Sequence, residues 1–234
     1  MNWRHAHFDP ATTCWTLIRG AAEGQEEDRA AFAHLYLPAV KAYLEARWQT
    51  APLSGDINDA AQEVFVACFQ DEGALVKVKP DAPDSSFRKF LFVVVQNIAR
   101  RFEERRHRNR ELPVGSGVTA AGAGEERLSG IFERAWISSM LDQAVALQKD
   151  RAREKGQDAI RRLELLSLRF YEGLPIRKIA RRWDVPAERL HHQYATAREE
   201  FMAALKDVLA FHHPGDREGR KRDLERIREF AEGM

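Results

Sequence analysis

The chain is poor in cysteine. Cys14 and Cys68 are its only two, far apart and without Cys-x-x-Cys spacing. That excludes a disulfide scaffold and a cysteine-rich zinc module, and it fits a reducing, cytoplasmic setting. Glycine and proline, 14 and 9 in 234 residues, are too few for a many-turned β-sandwich. No stretch approaches the ~18 to 20 apolar residues of a membrane span, so no membrane insertion is expected. The opening residues, Met1 to Asp9, lack the apolar core of a signal peptide. What remains is 44% hydrophobic and 31% charged, apolar enough to build a packed core and to exclude wholesale disorder. Abundant Ala, Leu, Arg and Glu point to helices.

The net charge of +1 conceals a pattern. Residues 1–86 carry 7 Lys and Arg against 13 Asp and Glu, whereas residues 87–110 carry 8 against 2. A second basic stretch, 160–206, has 10 against 6. Two basic patches separated by neutral or acidic sequence suggest two contacts with a polyanion, where a single patch would serve equally well as a solvated helix face.

Apolar spacing reads as helix nearly throughout. Phe32, Leu35, Tyr36, Ala39 and Tyr43 place a helix over about 26–48. Asp56 is the expected N-cap of the next, about 57–70, with Ala60, Ala61, Val64, Phe65 and Cys68 on its apolar side. A polar loop with Pro80 and Pro83 separates this from a long helix, Phe87 to about Arg108, that Ser85 or Ser86 would cap. The first half of that helix is apolar and the second strongly basic. The small, flexible composition from Leu112 to Gly130 reads as an interdomain linker, with helix resuming over Ile131–Leu147. Beyond His213 the chain is charged, and its thin stripe of Leu224, Ile227 and Phe230 favours a solvated appendage over a docked helix.

The sharpest local pattern lies between Arg161 and Leu205. A helix bearing Leu163, Leu166 and Phe170 stops at Glu172-Gly173, where glycine suits a left-handed cap. A short helix follows, opened by Pro175, with Ile176, Ile179, Ala180 and Trp183 at i, i+3, i+4 and i+7. After a turn at Asp184-Val185-Pro186, a third helix turns Ala187, Leu190, Tyr194, Ala197 and Phe201 inward. Two helices joined by so short a turn form a helix-turn-helix, whose second helix can enter a major groove. On 100° steps the first presents Arg177, Lys178, Arg181 and Arg182 outward, as phosphate contact requires. The second presents Glu188, His192, Ala195 and Thr196, flanked by Arg189, His191 and Gln193, which are groove-reading or backbone-contacting types. A tri-helical motif without DNA function is the bland alternative.

Catalytic chemistry finds little support. Asp56, Asp59 and Glu63 share one helical face and could serve Mg²⁺. No second acidic motif, glycine-rich phosphate loop or partner base accompanies them, so a protein-binding acidic face is the stronger reading. The pairs His5/His7, His191/His192 and His212/His213 are not read as metal sites, because helical residues one or two apart point about 100° or 200° away from each other. No metal, cofactor or catalytic group is expected, and a metal-dependent nucleic-acid enzyme is disfavoured.

Three segments, in order, resemble one family. The run Leu168-Arg-Phe-Tyr-Glu-Gly-Leu-Pro-Ile-Arg-Lys-Ile-Ala180 is similar to the promoter-binding C-terminal domain of an extracytoplasmic-function sigma factor, a bacterial RNA polymerase subunit. Asp56-Ile-Asn-Asp-Ala-Ala-Gln-Glu-Val-Phe65 resembles the helix by which such factors bind the polymerase β′ clamp. Ser86-Phe-Arg-Lys-Phe-Leu91, running on to Gln96-Asn-Ile-Ala-Arg-Arg101, resembles the helix that opens and reads the minus-ten element. The resemblance covers about 26–110 and 140–206, and the domain found between those two in larger sigma factors is absent. It departs at Asp184, where the family usually has glycine, and at His191 and Gln193, where Lys or Arg is common, which bears on base preference rather than fold.

The resemblance implies an all-α protein of two helical domains joined by a flexible linker. Residues 1–25 would be an extension, 26–110 the polymerase-binding and melting domain, 111–139 the linker, 140–206 the helix-turn-helix domain and 207–234 a charged extension. Asp56, Asp59, Gln62, Glu63 and Phe65 would bind core polymerase. Lys77, Lys79 and Asp81 would line a base pocket beside Arg88, Asn97, Arg100, Arg101 and Arg105 at the minus-ten element. Arg177, Lys178, Arg181, Arg182, Arg189, His191, His192, Gln193 and Thr196 would meet the minus-thirty-five element. Partners would be the polymerase core, through its β′ clamp and β flap, and promoter DNA both duplex and melted, with an anti-sigma protein as a further candidate. The competing reading is a helix-turn-helix regulator that is not a polymerase subunit, which leaves 56–65 and 87–106 unexplained.

Overall fold

The structure, a computed structural model, describes residues 14–49, 53–70, 75, 87–108 and 123–232. Among these it is all-α, with nine helices and no strand: α1 (Cys14–Ala22), α2 (Glu26–Arg47), α3 (Ile57–Phe69), α4 (Phe87–Arg108), α5 (Ala123–Lys155), α6 (Gln157–Phe170), α7 (Ile176–Trp183), α8 (Ala187–His212) and α9 (Arg217–Glu232). A 3-10 turn, Ser54–Asp56, leads into α3. The described residues up to Ser139, with 227–232, fall in one compact unit, and Met140–Arg226 in a second.

The first unit is built on aromatics. Phe32, Tyr36, Tyr43 and Trp48 of α2 and its cap are fully buried. Phe32 meets Phe65 and Phe69 of α3 edge-on, at 6.1 and 5.3 Å between ring centroids, and Phe87 of α4 at 5.6 Å. Edge-on aromatic pairs contribute roughly 0.5–1.5 kcal/mol beyond their buried area. The first half of α5 completes this core, with Trp136 stacked on Tyr36 at 5.1 Å and Phe132 against Phe92 at 5.2 Å. Residues 123–130 are therefore helical, where the small-residue composition led us to expect linker, and 131–139, placed in the linker by the resemblance though helical by their spacing, are packed in this core. Glu125, Glu126, Arg127 and Leu128 are strong helix formers and offset the two glycines that flank them.

The N-terminal extension is likewise part of this core from Cys14 onward. Leu17, Ile18 and Ala21 of α1 are buried. Gly20 lets α1 approach α2, because a Cβ at that position would meet the Asp28 carboxylate. Arg29 then staples three elements, its Nε donating to Ala21 O at 3.0 Å and its Nη2 to Phe69 O at 3.1 Å.

In the second unit, Leu165 and Leu168 of α6 pack with Ile176, Ile179 and Ala180 of α7 and Leu190 of α8. The inward stripe of α6 is thus Ala159, Leu165 and Leu168. Leu163 and Leu166 are half-buried and Phe170 is 62% exposed, contrary to the expected face. Helix α8 continues past the expected end at 206 to His212. Within the charged tail, His213 Nε2 lies 2.8 Å from Oδ2 of the buried Asp223.

Candidate nucleic-acid interface

Two surfaces carry the residues singled out by the sequence, one in each unit. In the first, α3 buries Ala60, Ala61, Val64 and Phe65 and exposes Asp59 and Gln62, with Asp56 and Glu63 half-buried. Asp56 ends the 3-10 turn but makes no side-chain cap bond. Its carboxylate instead meets Arg106 Nη2 at 2.8 Å. Arg105 Nη2 donates to both oxygens of Glu63 at 2.8 Å, and its guanidinium lies 4.7 Å from the Phe102 ring centre. The acidic face of α3 and the basic end of α4 are therefore joined.

Along α4, Asn97, Arg100, Arg101 and Arg105 are exposed as expected. Arg88 is not. It is buried, and its Nε lies 3.0 Å from Glu133 Oε1 of α5. A guanidinium withdrawn from water needs such a partner, so Arg88 is a structural ion pair rather than a DNA contact. Arg100 lies 3.8 Å from Glu125, which also accepts from Gln96 at 2.5 Å. Lys77, Lys79 and Asp81, the expected base pocket, lie outside the described residues, as do Ser85, Ser86 and 109–122.

Sequence reasoning missed the network that fixes this face. Arg47 at the end of α2 donates to both oxygens of Glu103, at 2.6 and 3.0 Å, to Glu125 at 3.1 Å and to Tyr43 Oη at 2.8 Å. Trp48 Nε1 adds a bond to Glu103 at 2.9 Å. Burial opposes the Arg47 charge, but the Glu103 hydrogen bonds, the Tyr43 hydroxyl and Glu125 together hold its pKa above the ordinary arginine value. The partners come from α2, α4 and α5, so no local periodicity could have grouped them.

In the second unit α7 and α8 are separated by three residues, Asp184 to Pro186. Gly173, at φ 62°, ends the α6 segment, and Arg169 Nη1 donates to Leu174 O at 2.9 Å to hold the approach to α7. Asp184 caps α7 in the left-handed region, at φ 51° and ψ 51°, and Val185 N–H returns to Ala180 O at 3.1 Å. A short polar side chain tolerates that conformation. With Ile176, Ile179 and Ala180 buried beneath, Arg177, Lys178, Arg181 and Arg182 all stand exposed.

On α8, Leu190 and Ala197 face the core. Arg189, His191, His192 and Thr196 are exposed and Gln193 is half-buried. Thr196 Oγ1 donates back to His192 O at 3.2 Å, so its free valence is an acceptor. The angle between α6 and α8 is held by Arg162 on Glu200, at 3.1 and 2.6 Å, with Lys155 at 3.7 Å from the same carboxylate. Tyr194 sits between the guanidinium groups of Arg169 and Arg198, at 5.7 and 5.9 Å. Phe170 and Tyr171, 62% and 70% exposed, form an aromatic pair beside the turn that the sequence did not single out.

A cleft of about 250 Å³ between α5 and α8 has Arg151, Lys155, Glu199 and Glu200 on its walls beside Ala152 and Ala203. Among the described residues no three His, Cys, Asp or Glu side chains gather as a metal site, and no helix is long and apolar enough to cross a membrane. The arrangement offers binding surfaces of two signs, one acidic and two basic. The chain matches no protein-family model, no curated protein and no solved structure.

Proposed function

We propose that this chain is a sigma factor of the extracytoplasmic-function kind, acting in the cytoplasm to direct promoter-specific initiation by RNA polymerase. The observation that carries the reading is the α7–α8 pair: every cationic side chain of α7 is outside, the apolar ones are beneath, and α8 exposes Arg189, His191 and His192 beyond a three-residue turn. Such a pair places phosphate contacts on one helix and base-edge contacts on the next. The acidic α3 and basic α4 support the fuller role, since a factor that opens DNA must bind both polymerase and unpaired strand. Asp59, Gln62 and Glu63 would meet the polymerase, while Asn97, Arg100 and Arg101 would track the melted strand.

One observation favours the competing regulator. Asp56 and Glu63, offered to polymerase in this scheme, are already paired with Arg106 and Arg105. Run-off transcription with purified core polymerase separates the two. Promoter-specific starts that require the added chain support the sigma reading, and duplex binding without any such starts leaves only the regulator.

A further inference from the structure

We infer that the free chain is self-neutralised at the α3–α4 surface, and that a partner taking the carboxylates of Asp56 and Glu63 releases Arg106 and Arg105 for nucleic acid. The inference rests on the sigma reading and names how that same surface is regulated.

The geometry distinguishes this pair of contacts from the others around α4. Arg47 and Glu103 have side chains only 10% and 17% exposed, and their bonds belong to the packed interior. Arg105 and Glu63 are 48% and 36% exposed, and Arg106 and Asp56 are 28% and 27% exposed, yet both pairs close to 2.8 Å. The interior contacts hold α2, α4 and α5 together. The surface contacts sit at the rim, with Arg105 also lying over Phe102, while Val64, Phe65 and the α4 apolar face already pack these helices. Exposed pairs are individually weak and screened by salt, so they exchange readily for a better partner.

Neighbouring arginines on α4 reach carboxylates seven residues apart on the α3 side. A cationic surface approaching α3 competes for both carboxylates together, and a polyanion approaching α4 competes for both guanidinium groups. Each ligand stabilises the same opened form. By linkage each must then raise the affinity for the other by one common factor. The free chain thereby holds polymerase and DNA weakly, and the assembled complex holds both.

The test uses the full chain and fluorescein-labelled oligo(dT), titrated at several salt concentrations. Asp56→Asn with Glu63→Gln should bind about three- to tenfold more tightly than the unaltered chain. The salt slope should steepen by about 1.4, two phosphates at roughly 0.7 each. Glu27→Gln with Glu45→Gln, which removes the same charge from exposed sites on α2, should give little gain. Adding Arg105→Ala and Arg106→Ala to the first pair should abolish the gain, and each single carboxylate variant should show part of it. Unchanged affinity in Asp56→Asn/Glu63→Gln overturns the inference, as does an equal gain in the α2 control. A gain in the first pair with no binding of core polymerase to the unaltered chain would keep the lock and reject the sigma reading. Polymerase binding without any gain would do the reverse.

Discussion

Glu200 ties α8 to α6 through its hydrogen bonds with Arg162. The Arg162 hydrogen bonds lower its pKa below the usual carboxylate range against a smaller opposing effect of burial, and Lys155 helps. A folded-state pKa below the unfolded one means that stability is present above the unfolded value and is lost as pH falls through the depressed one. Glu200→Gln should therefore cost about 1–2 kcal/mol at neutral pH. The gap to the unaltered chain should close in acid, followed by hydrogen exchange at the α8 amides. A gap independent of pH would show that the pair contributes packing alone. The thiols behave in the opposite sense. Burial pushes Cys14 and Cys68 up to about 12, with backbone hydrogen bonds offsetting part of the shift at Cys14. Thiolate is the reactive form, so both should resist a thiol-modifying disulfide reagent at neutral pH and react, two equivalents per chain, only after denaturation.

Helices α7 and α8 should fail differently when their exposed cations are removed. Arg181→Ala should weaken promoter and scrambled duplexes alike and lower the salt slope by about one. Arg189→Ala should cost roughly 1–3 kcal/mol on the promoter duplex and less on the scrambled one. Equal losses on both duplexes would make Arg189 a backbone contact. These two helices were legible from the sequence because their cues are local: Gly173 and Asp184 mark the ends, and Ile176, Ile179 and Ala180 recur within one turn. The bounds of α2, α3 and α4 were legible for the same reason. Helix α6 was not, because Leu163, Leu165, Leu166 and Leu168 offer two apolar stripes about a turn's fraction apart, and only packing against α7 and α8 selects Leu165 and Leu168. Arg88 was misread through its charge, since its partner Glu133 is remote in sequence.

At the scale of the molecule, the same contrast recurs between near and far. The charge blocks visible in the sequence do become opposed surfaces, but their mutual pairing through Arg105 and Arg106 is a property of the folded unit. Helix α5 is the extreme case, a 33-residue element partly mistaken for linker because its value lies in what it covers. Glu125 on Arg47 and Gln96, Glu133 on Arg88, Trp136 on Tyr36 and Ser139 on Leu35 O all join α5 to the helices before it. These contacts alone should hold α5 against the helices that precede it. Separately expressed fragments ending at Arg108 and starting at Ala123 should recombine and co-elute on gel filtration, and Trp136→Ala with Glu125→Lys should abolish that complementation. Complementation of that kind would mean that the helices find one another through their buried faces, and a reporter domain spliced between Arg108 and Ala123 should then leave the aromatic core assembled.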